Sequence, residues 1–125
     1  MKIKKIDDYQ SWYIESDNTA IIIDPWLDKV MQPKSNFFIN RSRDQNSLID
    51  DEMINKVSCI LISAPFEDHL QIESLKFFSK DTPIYTSNMV SKVLKKKFVS
   101  NPIHILDESG AKICNMKVSS LPTSY

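Results

Sequence analysis

The stretch that decides the fold is an apolar run that leads into a polar turn: Val57-Ser58-Cys59-Ile60-Leu61-Ile62, then Ser63-Ala64-Pro65-Phe66-Glu67-Asp68-His69-Leu70. The apolar run is typical of a buried strand. The turn places Asp68 beside His69. A carboxylate and an imidazole are ligands that hydrolytic zinc, iron or manganese sites use. The stretch therefore predicts a strand that delivers candidate metal ligands at its end.

Ala64 and Phe66, the neighbouring positions best placed to add ligands, have no donor atoms. Catalytic zinc is held by three protein ligands, so two adjacent residues cannot hold it. His104 is the only other histidine, and a lone histidine in a predicted strand is typical of a core or edge residue. We expect Asp68 and His69 to be candidate metal ligands of an incomplete site, without a metal cofactor held by this chain alone. Zinc, iron or manganese would bind only if the site is completed elsewhere.

Asp68 also has a structural interpretation. It precedes a helix predicted to begin near Leu70, and Gln71 follows at the spacing of a capping box, with Asp in the Ser or Thr role. Such a cap stabilises a helix by about 1 kcal/mol. Capping is compatible with a role in metal binding or proton transfer, so Asp68 stays the one catalytic candidate.

Three other polar residues near this turn have ordinary explanations. Glu67 adjoins Asp68, but neighbours in a turn usually point apart, and nothing apolar nearby indicates a raised pKa. Ser63 lacks the Gly-x-Ser-x-Gly elbow of a nucleophile, and no base can be assigned to it. Asp24 ends a predicted strand at the expected site edge, and Asp before Pro is also ordinary turn chemistry. None of the three is assigned a catalytic role.

Length and composition indicate one globular domain over residues 1–125. Of 125 residues, 42% are apolar and 26% charged, and sixteen basic residues balance sixteen acidic ones. This balance gives no overall field that would attract nucleic acid or an anionic membrane. The basic run Lys95-Lys96-Lys97 is interpreted as a solvated helix end that complements the helix dipole. We therefore expect neither nucleic acid nor a membrane as a partner.

The rarer residue types narrow the class further. Gly110 is the only glycine, which argues against phosphate-binding loops because these need several. Cys59 and Cys114 lie in apolar runs and no Cys-x-x-Cys is present, so two reduced, buried thiols are expected. The charged N-terminus lacks the apolar centre of a signal peptide, and no segment reaches the roughly 18 apolar residues of a membrane span. These features predict a cytoplasmic protein.

The order of elements predicts an α+β fold, with a mixed β-sheet and helices on one face. Strands are predicted over residues 2–6, 11–16 and 19–24, the last two joined as a hairpin by Asp17-Asn18. A long loop follows to about residue 47, in which Phe37-Phe38-Ile39 is either a flap over a pocket or a short strand on the core. Helices are then predicted over residues 48–55, 70–80 and 88–98, and strands over residues 57–63, 82–86, 102–106 and 112–121.

One face of such a sheet is left without helices and needs cover. The sequence stops at Tyr125, just after the last predicted strand. We therefore expect that face to be covered by a partner, or the chain to be part of something longer.

Two motifs in this order resemble the metallo-β-lactamase fold, above all its groups with a degenerate metal motif: Asp24-Pro25-Trp26-Leu27 after the third strand, and the strand and turn that end in Asp68-His69. The resemblance extends over essentially this whole chain but over only the N-terminal half of the family's domain. It implies half of an αββα sandwich, in which a second half would cover the open sheet face and the metal site would lie at one edge.

The family's signature, His-x-His-x-Asp-His, falls on Ala64, Phe66 and the pair Asp68-His69. In the family, the first metal position uses the two early histidines and a later one, for which this chain has no match. The second metal position uses the Asp-His pair together with residues of the other half. The resemblance thus implies a hydrolase fold whose signature is retained only at Asp68 and His69.

Three functional hypotheses follow. The first is a truncated or catalytically degenerate hydrolase homologue that lacks a complete metal site. The second is a metal-dependent hydrolase, acting on an ester, lactone or phosphodiester, whose site is completed by a missing C-terminal half or a partner chain. The third is a homodimeric binding module that pairs its two open sheet faces.

Overall fold

The computed structural model describes residues 1–6, 10–27, 30–31, 41–42, 49–66, 69–113 and 115–119. The chain begins with three antiparallel strands, β1 (Lys2–Lys5), β2 (Trp12–Ser16) and β3 (Thr19–Ile23). The predicted hairpin between β2 and β3 is confirmed. Asp17 and Asn18 both have positive φ, of 52° and 62°, which is the backbone that a tight two-residue hairpin requires.

Most of the long loop predicted up to residue 47 lies outside the described residues, as does Phe37-Phe38-Ile39. Within it, β4 (Val30–Met31) and β5 (Arg41–Ser42) pair as a separate two-stranded sheet. The helix α1 follows at Asp51–Lys56, and its N-cap Asp50 accepts a hydrogen bond from the Met53 backbone N–H.

The second part of the chain alternates strands with helices, as the sequence predicted. The elements are β6 (Val57–Ile62), α2 (Ile72–Leu75), β7 (Ile84–Thr86), α3 (Asn88–Lys96) and β8 (Ile103–Ile105). Strands β3, β6, β7 and β8 are parallel neighbours. Together with β1 and β2 they form one six-stranded sheet in the order β1-β2-β3-β6-β7-β8. The predicted α+β fold with a mixed sheet is confirmed.

The main core lies between this sheet and the helices. Ile22, Ile60 and Ile84, from three adjacent strands, are fully buried against Val90 and Leu94 of α3. Burial of each such side chain contributes about 1.5–3 kcal/mol. The core therefore fixes the parallel strands, and with them the edge at which β3 and β6 end.

The helix predicted over residues 70–80 is much shorter in the structure. It spans only Ile72–Leu75, and its N-cap is Gln71, so the helix that Asp68 was expected to cap begins later than predicted. Asp68 itself lies outside the described residues. The following backbone bonds run over three residues, including Phe77 to Ser74 and Phe78 to Leu75. An apolar repeat of three suits this tighter winding as well as it suits an α-helix.

The last predicted strand, over residues 112–121, is also wrong. In its place are two short strands, β9 (Ala111–Ile113) and β10 (Met116–Val118), which pair with each other as a hairpin. The chain reverses next to Asn115, whose φ is 62°. Ile113 packs on Ile21 and Cys59, so this hairpin covers part of the sheet face that the sequence left open.

Candidate functional site

Two strand ends that lie side by side create the candidate site. Strands β3 and β6 are parallel neighbours, so Asp24, after β3, and Ser63, after β6, emerge at the same edge of the sheet. The Asp24 backbone N–H donates to the Leu61 carbonyl at 2.8 Å and continues the pairing one residue beyond β3. Ligands bind at this edge in many open α/β sheets, because the loops that follow parallel strands meet there.

Asp24 is buried, with 3% of its side chain exposed, and its carboxylate gathers three hydrogen bonds. Oδ1 accepts from the Ser63 backbone N–H at 2.7 Å. Oδ2 accepts from Ser63 Oγ at 2.5 Å and lies 2.7 Å from His69 Nδ1. Ser63 and His69, which follow Asp24 by 39 and 45 positions in the chain, thereby meet at one carboxylate.

Burial raises the pKa of the Asp24 carboxyl, since a charge is costly away from water. The bonds from Ser63 and His69 oppose that rise because they favour the ionised form. Desolvation and hydrogen bonding thus act on the pKa of this carboxyl in opposite directions. Such opposing influences are typical of titratable groups at functional sites.

A turn presents His69 to this carboxylate. The His69 backbone N–H donates to the Phe66 backbone carbonyl at 2.9 Å, and the imidazole ring is half-buried. Because Asp24 can only accept when ionised, the 2.7 Å contact assigns a proton to Nδ1. In the neutral ring, Nε2 then carries the lone pair. Carboxylates orient metal-binding histidines in this manner.

Ser63 and His69 do not form the nucleophile and base of a serine hydrolase. Ser63 Oγ lies 3.2 Å from His69 Nδ1, the same nitrogen that contacts Asp24. In a Ser-His-Asp triad the serine faces the opposite ring nitrogen, which removes its proton. Here the Ser63 hydroxyl donates to Asp24, so its chemistry is that of a carboxylate ligand.

The loop after β3 is anchored so that Asp24 keeps its position. Ser11 Oγ donates to the Asp24 carbonyl at 2.7 Å and accepts from the Trp26 backbone N–H at 3.0 Å. One residue further, the Leu27 N–H donates to the buried Ser74 Oγ at 2.7 Å. Asp24 itself has a φ of 48°, an uncommon conformation that aspartate tolerates better than most residues. The hydrogen bonds to the Asp-Pro-Trp-Leu motif therefore fix the position of the carboxylate.

The other residues considered from the sequence differ in environment. Ala64 is buried and Phe66 is 54% exposed, and neither has a donor atom. Glu67 and Asp68 lie outside the described residues. His104 lies on β8, where it stacks on Tyr85 at 4.9 Å between ring centroids. Among the residues that the structure describes, no three His, Cys, Asp or Glu side chains are grouped so that they could hold a metal ion.

His69 was predicted as a candidate metal ligand, and its contact with Asp24 was not predicted. Asp24 was placed at the site edge and explained as turn chemistry, whereas it is the buried acceptor that orients the His69 ring. The missed signal is positional. Asp24 and Ser63 each follow an apolar run, and two such runs that pair in parallel bring the residues after them together.

A cavity of about 810 Å³ adjoins the site along the carboxyl ends of the parallel strands. Its wall includes Ser63, Tyr85 and Leu61, and Lys92 of α3 is its one charged lining residue among those described. The volume falls in the range of small-molecule sites. It opens onto the sheet face that β9 and β10 cover only in part.

Comparisons with known proteins identify the fold. No protein-family model matches the chain, and no curated protein matches it. The fold is similar to that of a possible metal-dependent hydrolase from Veillonella parvula DSM 2008, with a TM-score of 0.66 and 18% identity over 85% of this chain and 42% of that one. It is similar to isothiocyanate hydrolase from Delia radicum gut bacteria, with a TM-score of 0.66 and 19% identity over 86% of this chain and 42% of that one.

The chain spans about two-fifths of the length of each of these two proteins. At identities below one in five, the likeness concerns the fold alone. No helix within the described residues is long and apolar enough to cross a membrane. What the comparisons establish is a hydrolase-like fold in a chain that matches part of two longer proteins.

Proposed function

We propose that the chain is one half of a metallo-β-lactamase-type αββα sandwich and a hydrolase homologue without a complete metal site. The observation that supports this proposal is the set of possible metal ligands. The turn after β6 retains His69, held on Asp24 at 2.7 Å, while Ala64 and Phe66 occupy the signature positions of the two early histidines. The described residues thus offer one oriented imidazole, which does not fit a catalytic metal ion that needs three protein ligands.

The half-sandwich proposal rests on three observations. The fold is similar to two hydrolases over 42% of the length of each. The helices pack on one face of the sheet, and the other face carries a smaller cluster under the β9–β10 hairpin. A second half would pack on that face. The single domain over residues 1–125 and the pairing of two copies through this face remain predictions.

A second candidate function is favoured by the Asp24–His69 contact itself. A buried carboxylate that fixes a histidine tautomer is what an intact metal ligand requires. If Asp68 and donors from a partner or from further chain completed the site, the protein would be a metal-dependent hydrolase of an ester, lactone or phosphodiester. The role of this chain would then be to orient His69 through Asp24. No substrate of the two similar proteins is carried over.

Metal analysis of the chain alone separates the first candidate from the form of the second in which another copy of the chain supplies the missing donors. The purified chain, incubated with zinc, iron or manganese and then dialysed, is expected to retain clearly less than one ion per molecule. His69→Ala tests the candidate ligand, and His104→Ala is its matched control, since His104 is the only other histidine. A tightly held ion that His69→Ala releases and His104→Ala retains would contradict the first candidate and support the second.

A further inference from the structure

The opposite end of the sheet carries a feature that the proposed function does not use. Helix α3 begins at Asn88, after its N-cap Ser87 and directly behind β7, and the chain then returns to β8, which is parallel to β7. The helix therefore runs back along the sheet and ends at the edge away from Asp24 and His69. Its last turn contains Lys95 and Lys96, and Lys97 and Phe98 follow.

Phe98 combines two features that oppose stability. The end of α3 is a Schellman motif, in which the Val99 N–H donates to the Leu94 carbonyl at 3.1 Å and the Phe98 N–H to the Lys95 carbonyl at 3.2 Å. Phe98 occupies the left-handed position of that motif, with a φ of 58°, where glycine is the usual residue. Its side chain is also 91% exposed. Neither the backbone nor the packing of the helix end benefits from an aromatic residue there.

Several lysines lie beside Phe98, in the chain or along one cleft. A cleft of about 330 Å³ beside it is lined by Lys76, Lys80 and Lys97. The buried side chains of Leu75 and Phe78 also line it, and its described lining includes no carboxylate. Lys76 pairs with Glu73 at 2.8 Å, so part of its charge is balanced nearby. Lys80 and Lys97 are exposed, like Lys95 and Lys96 in the last turn of α3.

This surface lies on the helical side of the sheet. It is therefore independent of whatever covers the partly open opposite face. The helix dipole explains lysines at positions 95 and 96. It does not explain Lys76, Lys80 or the exposed ring of Phe98. The expectation that a membrane is not a partner rested on the net charge of zero over the whole chain, and that balance does not exclude a local excess of cations.

We propose that this lysine-rimmed end of α3, with Phe98 at its tip, docks on an anionic phospholipid surface. Lysine ammonium groups attract anionic headgroups, and an exposed aromatic ring partitions into the headgroup boundary. An aromatic ring that is 91% exposed is unfavourable in water and becomes favourable once it enters that boundary. An acidic protein partner would use the same cations but gives no reason for an exposed aromatic ring at the helix end. A nucleic acid, whose bases stack on aromatic rings, is separated from a lipid surface by the oligonucleotide arm of the experiment below.

The experiment is flotation of the purified chain with phosphatidylcholine vesicles, with or without phosphatidylserine, at low and high salt. Binding is expected only with phosphatidylserine and is expected to weaken at high salt. Phe98→Gly keeps the helix end, because glycine suits the positive φ, and is expected to weaken binding several-fold without loss of thermal stability. Met89→Ser, which alters another exposed apolar residue of α3, is its control and is expected to bind like the unaltered chain.

The lysines are tested in the same way. Each lysine near an anionic surface contributes about fivefold to partitioning, so Lys80→Gln with Lys97→Gln is expected to lower binding by more than tenfold. Lys112→Gln with Lys117→Gln removes the same charge from the β9–β10 hairpin and is expected to change binding little. Absence of binding to phosphatidylserine vesicles at low salt would overturn the proposal. So would binding that Phe98→Gly leaves unchanged, or equal binding to a single-stranded oligonucleotide.

Discussion

His69 Nδ1 lies 2.7 Å from Oδ2 of Asp24, across 45 positions of sequence and between the ends of two adjacent strands. The contact is made by a buried carboxylate and a half-buried ring. It fixes which nitrogen of His69 bears the proton, and that choice decides whether Nε2 can act as a ligand or base. Four predictions test this site and the structure that supports it.

Asp24→Asn is expected to invert the tautomer of His69. The asparagine side chain can present its NH₂ group where Oδ2 now accepts, so the ring would accept at Nδ1 and carry its proton on Nε2. Nitrogen-15 NMR of the imidazole groups measures this directly. His104 serves as the internal control and should keep its signals. Retention of the Nδ1–H tautomer at His69 in the variant would contradict the assignment.

Stability should depend on pH through Asp24. Burial raises the pKa of this carboxyl above its ordinary value of 3.8, so the folded chain keeps a proton that the unfolded chain has lost. The resulting stabilisation is complete below the unfolded pKa and is lost as pH rises through the folded pKa. The free energy of unfolding, relative to that of Asp24→Asn, is therefore expected to fall as pH rises through that window.

Asp107→Asn provides the matched comparison for this pH dependence. Hydrogen bonds from Ser109 and from the Gly110 backbone lower the pKa of the Asp107 carboxyl, so its stabilisation is present above the unfolded pKa and is lost as pH falls. The relative curve for this variant should slope in the opposite direction. Denaturant titrations at several pH values measure both curves, and two curves of equal slope would argue against the burial of Asp24.

Ser74→Ala is expected to destabilise the fold by about 1–3 kcal/mol, the cost of leaving a buried polar group without its partner. Ser74 Oγ accepts the Leu27 N–H at 2.7 Å and so holds the loop after Asp24 against α2. The exposed Ser100 offers a control, and Ser100→Ala should change stability by less than about 0.5 kcal/mol. Thermal and denaturant unfolding measure both variants. Similar stabilities would show that the loop does not depend on Ser74.

Gly110→Ala is expected to destabilise the β9–β10 hairpin. Gly110 has a φ of 77°, and an added Cβ would lie 2.6 Å from the Val118 carbonyl oxygen. The left-handed backbone alone costs an alanine about 1–2 kcal/mol, and the overlap adds to it. Lys112→Ala, an exposed change in the same hairpin, is the control. Hydrogen exchange of the β9 and β10 amides measures the effect, and unchanged protection would contradict it.

The sequence predicted the sheet well because its central strands are long apolar runs. Ile21-Ile22-Ile23 and the run Val57–Ile62 can be buried on both faces, and only pairing with other strands satisfies their backbone groups. The hairpin at Asp17-Asn18 was equally clear, since few residue pairs adopt two consecutive positive φ values.

The errors came from single residues whose backbone departs from the local pattern. Asn115 reverses the chain inside an apolar stretch that reads as one strand. The length of α2 was overestimated because Ile72, Leu75 and Phe78 repeat every three residues, a spacing that helical turns of two kinds share. Asp24 was underestimated because its role depends on Ser63 and His69, which approach it only through the pairing of β3 with β6. Such contacts depend on which strands pair, so the residues next to Asp24 do not predict them on their own.

The two tryptophans of the chain differ in a way that has a practical use. Trp26, two residues after Asp24, has only 2% of its surface exposed, whereas Trp12 is 39% exposed beneath Lys5. An aqueous quencher should therefore quench the fluorescence of Trp12 first and leave a blue-shifted emission from Trp26. The remaining Trp26 fluorescence reports whether the loop after Asp24 stays packed. It can be measured without any label, substrate or metal.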